Sequence, residues 1–354
     1  MQKGSCLPAY LHAIGTAVPP HDVHATFIEW ARRQLDSPRE AAVFDRMAGR
    51  AGIGHRWSVL PVSSFEEDGG FYRNVEWPGT ATRMQVYARA APDLACAAIA
   101  QLGEQVALDG ITHLVLASCT GFVAPGIDQI IARRLGLAPS VERLLVGFMG
   151  CYAAIAALRS ARHIAQSEPD ARVLVVTVEL CTLHLQQTAE LEPMLAMLQF
   201  GDGAAAGLVT GKPGGLLLER PFSSTLEESH ELIRWDITDT GFAMHLSGEV
   251  PGRIALAMAE PAFAAALGCH PAEVDSWAVH AGGRSILDAV ERSLELAPDA
   301  LDHSRAVLAD NGNMSSATLM FVLKRLLAGP PVGTGVALAF GPGLAAEGLT
   351  FRGA

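Results

Sequence analysis

Apolar and polar positions along this chain follow two alternating patterns. Runs rich in aliphatic and β-branched residues occur at 112–119 (THLVLASC), 171–180 (ARVLVVTVEL), 204–211 (AAAGLVTG), 276–283 (SWAVHAGG), 304–313 (SRAVLADNGN) and 333–343 (GTGVALAFGPG). Each ends in small or polar residues, which predicts buried strands finishing in loops. Between them, apolar residues recur at helical spacing over 84–102, 125–135, 152–165, 261–267, 285–296 and 316–327, several segments opening on a small or polar residue. Strand and helix alternate in both the first 210 residues and the last 140, which predicts an α/β protein of two related halves packed face to face.

Composition supports a large core. Half of the 354 residues are hydrophobic, far too many for a disordered chain. No charge block, low-complexity stretch or short repeat divides the sequence. The formal charge of −11 argues against nucleic-acid binding, which needs a basic stripe, so an anionic ligand must meet a local cluster of Arg and Lys. The first 20 residues lack a continuous apolar stretch, which predicts neither leader nor anchor and makes the cytoplasm the default location. The most apolar run, 144–158, is shorter than the roughly 20 residues needed to span a bilayer and reads as core.

Three polar residues stand at junctions of this framework. Cys151 follows GFMG and precedes a helical segment, where free N–H groups and the helix dipole favour thiolate and a nearby imidazolium would favour it further. A small buried residue would fit there equally well. His280 ends a strand-like run just ahead of Gly282 and Gly283, and is either a site residue or a structural one. Asn313, before a helix, reads on its own as an N-cap. The papain-like Cys/His/Asn proteases are set aside, because their signature around the nucleophile is missing. The cysteines at 6, 96, 119, 151, 181 and 269 form no CxxC pair and no metal-ligand spacing with histidine, so neither a disulfide framework nor a metal site is expected.

Five segments change the weight of these residues: GFMGCYAAIAALRSA (147–161), FGDGAAA (200–206), VHAGGRSILDAVE (279–291), DNGNMSSAT (310–318) and AFGPG (339–343). In order and spacing they resemble the motifs of bacterial type III polyketide synthases, the chalcone/stilbene synthase-like branch of the thiolase superfamily, from about residue 8 to the C-terminus. The resemblance implies the thiolase fold, a duplicated αβαβα five-layered arrangement with halves at 1–215 and 216–354, and a homodimer. It implies Cys151 as the acyl-carrying nucleophile, with His280 and Asn313 binding the thioester carbonyl and the malonyl group. Phe200 matches a gatekeeper between CoA tunnel and cavity, while Met244 stands where plant enzymes carry a second Phe, a departure from the chalcone-forming pattern. Cys119, Thr120, Cys181, Leu183, His184 and Ser315 match cavity-lining positions, and Gly341, Pro342 and Gly343 a loop shaping the cavity floor. Ala124 falls where a Met often reaches into the partner subunit, with Phe122 placed to compensate.

Among the spaced cations Arg46, Arg50 and Arg56, the first two match positions that hold the CoA phosphates, while a third family Lys is replaced by Val43. The implied substrates are an acyl-CoA starter and malonyl-CoA, with no cofactor, no metal, and neither nucleic acid nor membrane as partner. A fatty acyl starter leading to an alkylpyrone or alkylresorcinol is the expected chemistry. A malonyl-only phloroglucinol or naphthalene synthase, a ketoacyl-ACP synthase III-like enzyme and a catalytically silent thiolase-fold protein are the alternatives. The AGG after His280 and MSSAT after Asn313 favour the polyketide synthase over the carrier-protein enzyme.

Overall fold

In a computed structural model, which describes all residues except 1–6, 75 and 227, nine strands form one mixed sheet. Cys6 lies outside the described residues. The strands are β1 (Tyr10–Ala17), β2 (His113–Ser118), β3 (Glu142–Gly147), β4 (Arg172–Leu180), β5 (Asp202–Thr210), β6 (Leu216–Thr225), β7 (Ser276–Val279), β8 (Thr334–Gly341) and β9 (Ala345–Gly353). Their spatial order is β7-β8-β9-β6-β1-β5-β4-β2-β3.

The order contains a repetition. In the first half β2, β3 and β4 run parallel and β5 runs antiparallel to both β4 and β1. In the second half β7 and β8 run parallel and β9 runs antiparallel to both β8 and β6. The halves join where β1 meets β6, through Tyr10 opposite Leu217 and Leu11 opposite Leu216.

Helices Ala153–Ser167 and Ser316–Leu327 occupy the space between the two halves of the sheet. The first is rich in alanine, with Ala153, Ala154, Ala157, Ala161 and Ala165 fully buried, so strand backbones approach it closely. Alternation along the strands serves two cores. Val115 and Ala117, and likewise Ala337 and Ala339, face the central helices. Leu114 and Leu116, with Val336 and Leu338, face the outer helices, among them Thr80–Gly103 and Arg284–Ser293. Outer helices, half-sheet, central helices, half-sheet and outer helices give the five-layered thiolase fold.

Two expectations change. Residues 304–313 are not a strand, because Asp302–Asn311 is a helix whose buried residues Ser304, Val307, Leu308 and Asn311 follow the i, i+3, i+4, i+7 spacing. The short apolar run at 306–309 suits either period, and its packing on the second half decides. The run 144–158 is not all core either. β3 is the sheet edge, and Leu144 and Leu145 are 43% and 46% exposed. A two-stranded hairpin, Ile233–Thr238 with Gly241–Leu246, lies outside the main sheet and walls the candidate site. Among the described residues no single helix is long and apolar enough to cross a membrane.

Candidate active site

Cys151 sits in a short turn, Gly150–Tyr152, that leads into the first central helix. Gly150 has φ +74°, and a Cβ on it would fall 2.5 Å from Cδ of Pro342. A Cβ on Gly341 would fall 2.5 Å from the Tyr152 ring. The turn and the GPG loop therefore fit together only through glycine. Pro342 lines the cavity beside Cys151, while Gly341 packs under Tyr152 and Gly343 supplies a left-handed bend, φ +73°.

Asn313 is not a helix cap. Its Oδ1 accepts the Ser315 N–H at 2.8 Å and its Nδ2 donates to the Gly282 carbonyl at 3.2 Å. The backbone is fixed on both sides, Asn313 N–H to Gln199 C=O at 2.8 Å and Gly201 N–H to Asn313 C=O at 3.0 Å, which ties it to Phe200. Ser315 holds φ +46°, unfavourable for a residue with a side chain and stabilised here by its bond to Asn313. The Ser315 and Asn313 side chains lie near enough to the Cys151 thiol to act on its titration.

His280 follows β7, its N–H donating to the Leu338 carbonyl at 2.8 Å. Its ring lies against Gly282, where a Cβ would come within 3.4 Å of Nε2. Both ring nitrogens are buried without a hydrogen-bond partner. Such orphans are rare and costly unless something else is to bind there. Cys151, Asn313, Gly282 and His280 thus form one contiguous group.

Burial pushes the Cys151 thiol up to about 11, against the lowering effect of Ser315 and Asn313. Burial alone pushes His280 down to about 3. The medium that excludes water thus works against the charged forms of both groups.

Cys119, Thr120, Cys151, Cys181, Phe200, Met244 and Ser315 line one closed cavity, completed by Gly150, Trp235 and Pro342. A second shares Cys181, Phe200, Trp235 and Met244 and extends past His184, Gln186 and Met197. Together they offer about 40 Å³ (10 plus 30) of free space, room for only a few waters at most. A ligand larger than this must displace the flexible side chains of Met197 and Met244. His184 is fixed by Nε2 to the Thr120 carbonyl at 2.8 Å and stacks on Phe242 at 4.2 Å, and burial lowers it to about 3. Leu183 does not line either cavity. It packs in the outer core, and its carbonyl accepts from Arg83 at 2.6 Å.

A larger cavity of about 840 Å³ opens to the surface between helix Pro38–Ala48 and its following turn, helix Leu191–Met197, helix Val250–Met258 and the start of Arg284–Ser293. Its inner wall is Gly282, Gly283 and Gln199, and the carbonyls of Gly282 and Gln199 accept from Asn313. Arg50 lines it, whereas Arg46 is exposed and does not. Arg56 is no ligand cation at all. It is 1% exposed, donates to the carbonyls of Met197 and Phe200 at 3.0 and 2.9 Å, and so anchors the segment carrying Phe200. Val43 lies on the same helix as Arg46. Phe122 and Ala124 lie on the surface of the single chain.

Two important residues carry no sequence signal beyond strand patterning. Glu179, wholly buried, accepts from the Cys119 and Thr120 side chains, the Cys119 N–H and Ser316 Oγ, and burial raises it to about 7. Trp235 donates Nε1–H to the Cys119 carbonyl at 2.9 Å and closes the cavity wall. Among the described residues no group of three His, Cys, Asp or Glu could hold a metal ion.

Comparison with known proteins bears on this site as a whole. The N-terminal domain of the chalcone and stilbene synthases matches residues 1–213, and the C-terminal domain of the same family matches 218–354. The chain is 37% identical over 276 residues to the "alpha-pyrone synthesis polyketide synthase-like Pks18" of Mycobacterium tuberculosis, covering 74% of this chain and 69% of that protein. The crystal structure of PKS-I from the brown alga Ectocarpus siliculosus is similar with a TM-score of 0.88 at 27% identity over 100% of both chains. The C-terminal type III polyketide synthase domain of Steely1 from Dictyostelium gives a TM-score of 0.88 at 25% identity, over 98% of this chain and 99% of that one. CsyB complexed with CoA-SH shares the fold, with a TM-score of 0.86 at 24% identity over 98% of this chain and 100% of that one. With both of the family's domains matched in order, the chain belongs to the chalcone and stilbene synthase family and is a type III polyketide synthase.

Proposed function

We propose that Cys151 carries the acyl chain and that His280 and Asn313 activate malonyl-CoA for iterative decarboxylative condensation. The observation that carries this reading is that Cys151 lines the closed cavity while Gly282, on the wall of the 840 Å³ cavity, accepts a hydrogen bond from Asn313 and packs against the His280 ring. The Cys151 sulfur attacks the acyl-CoA carbonyl while its proton passes to the neutral His280 imidazole. CoA leaves as a thiolate and takes that proton. The thiol's high resting pKa makes this transfer part of the attack instead of a preceding ionisation.

Malonyl-CoA then loses CO2, and the electrons of the broken C–C bond form an enolate with its charge on the thioester oxygen. An imidazole N–H and the second Nδ2–H of Asn313, the first being engaged by Gly282, receive that charge. Losing one such donor costs roughly 100- to 1000-fold in rate. The enolate carbon attacks the Cys151 thioester, the C–S bond breaks with Cys151 leaving as a thiolate, and that sulfur is reloaded when the extended β-ketoacyl-CoA re-enters for another round. Phe200, Met244, Cys119, Thr120, Cys181, His184 and Ser315 shape the space in which the chain folds back, and Arg50 contacts the CoA phosphates.

An acyl-CoA starter and an alkylpyrone product, formed by C–O closure, are favoured by the relative whose name specifies α-pyrone synthesis. An alkylresorcinol is the C–C-closed alternative. The reading includes a cytoplasmic homodimer of chains, each with halves 1–215 and 216–354. It is supported by the repeated strand order, by the exposed apolar edge of β3, and by five described cysteines without a disulfide.

The test is mass analysis of products from purified protein with malonyl-CoA and a panel of acyl-CoAs. Pyrones or resorcinols are expected, and Cys151→Ala abolishes them. Condensation by the Cys151→Ala variant, or use of malonyl-ACP only, overturns the assignment.

A further inference from the structure

We infer that Arg284 is a phosphate-binding residue for CoA thioesters, acting beside Arg50 at the mouth of the large cavity and replacing the cation missing at Val43. The inference rests on the reading that CoA thioesters are the substrates. It names a contact that the matched CoA positions Arg46 and Arg50 do not include.

Helix Pro38–Ala48 and its following turn form one side of the cavity mouth, and there the cation count falls short. Val43 is apolar, Arg46 is exposed outside the lining, and only Arg50 reaches the cavity. Arg284, at the start of helix Arg284–Ser293, lines the same cavity from a separate element of the chain. The two residues are neighbours. Arg284 Nη1 donates to the Arg50 carbonyl at 3.3 Å, and a Cβ on Gly52 would lie 3.8 Å from Arg284 Cδ. Both guanidinium groups therefore serve one mouth.

Arg284 also has donors to spare. Its Nε lies 3.6 Å from Asp288 Oδ2, longer than a hydrogen bond, while Oδ1 of Asp288 accepts from Arg305 at 2.7 Å. Of five N–H donors, the contact to the Arg50 carbonyl and the loose pair with Asp288 engage at most two. The side chain is 54% exposed, so it can turn toward a ligand at little cost.

The rest of the rim adds no cation: its other charged groups are Glu192 and Asp288, the latter paired with Arg305. On a chain of net charge −11, a diphosphate and a 3′-phosphate need concentrated positive charge. A planar guanidinium is the group that meets two phosphate oxygens at once. From this mouth a pantetheine arm would run along Gly282 and Gly283 toward Asn313.

The competing account is that Arg284 merely ties the turn at 50–52 to the helix. Steady-state kinetics on purified Arg284→Gln and Arg284→Lys separate the two. Glutamine keeps a donor for the Arg50 carbonyl but no charge. For Arg284→Gln, the KM for malonyl-CoA and the inhibition constant of free CoA should both rise about five- to tenfold with kcat unchanged, as for loss of one partly exposed charged hydrogen bond. Arg284→Lys should keep more than half of the affinity, and inhibition by pantetheine, which lacks the phosphates, should not change. Unaltered constants for CoA, or parallel weakening toward pantetheine, would overturn the inference. Failure of the wild type to use any CoA thioester would instead overturn the proposed function.

Discussion

Glu179 and Asp202 are wholly buried carboxyls, each raised by burial to about 7 from ordinary values of 4.5 and 3.8. Between those values each keeps a proton only in the folded chain. They therefore stabilise the fold fully at pH below about 4, and this contribution is lost as pH rises through about 7. Buried His280 and His184, lowered to about 3, and His24, lowered to about 4, act in the opposite sense. Their stabilisation is present above about 6.5 and is lost as pH falls toward 4 and 3. Near pH 7 to 8 the carboxyls dominate the slope. Glu179→Gln keeps an acceptor for its neighbours and removes one titrating group, so between pH 6 and pH 8.5 the wild type should lose about 1.4 kcal/mol of unfolding free energy relative to the variant, measured by urea denaturation. An undiminished drop in the variant would assign the slope to other groups. None of this was legible in the sequence, where Glu179 is one letter in a strand. Cys151, His280 and Asn313 were legible as a set through their motifs, but their resting charges were not, since these depend on water exclusion by residues far along the chain.

At the scale of elements, the turn at Gly150 and the loop at Pro342 are shaped as a pair. Gly150→Ala places a Cβ where Pro342 Cδ stands and forces φ +74° on a residue that disfavours it. The expected result is a kcat at least about tenfold lower, since small misplacement of a reacting atom is costly, with the KM for malonyl-CoA held. Pro342→Ala in the same chain should recover part of the loss, and an absence of any recovery would show that φ, not the clash, dominates. Helices 316–327 and 152–165 were readable because long, strongly apolar periods leave one solution. Residues 304–313 were misread as a strand because a four-residue apolar run fits both periods, and only the packing of Val307 and Leu308 chose helix. Asn313 was read alone as a cap because an Asn before a helix usually is one. Its bonds to Gly282 and Ser315 turn it toward the site instead.

For the whole molecule, β3 ends the sheet with Leu144 and Leu145 exposed, and Phe122 beside Gly147 widens the apolar edge. An unpaired strand edge of this kind is a site for pairing with a second copy. Leu144→Lys with Leu145→Lys should convert a dimer to a monomer in sedimentation velocity without lowering helix content. A wild-type monomer would rule out the homodimer, and a dimer that survives both charges would place the interface elsewhere. Taken alone, the sequence determined the alternation of strand and helix, because periodicity is a local property of the chain, while the thiolase architecture, the candidate trio and the class of reaction were legible through its resemblance to the type III polyketide synthases. The tertiary structure decided what depends on distant neighbours. It took Arg56 into the core to hold Phe200 and turned Leu183 away from the cavity. It also left Arg46 outside the large cavity and brought Arg284 to its mouth beside Arg50. Burial and proximity are set by which surfaces meet when the two halves close on their shared helices, and no stretch of sequence read by itself contains that information.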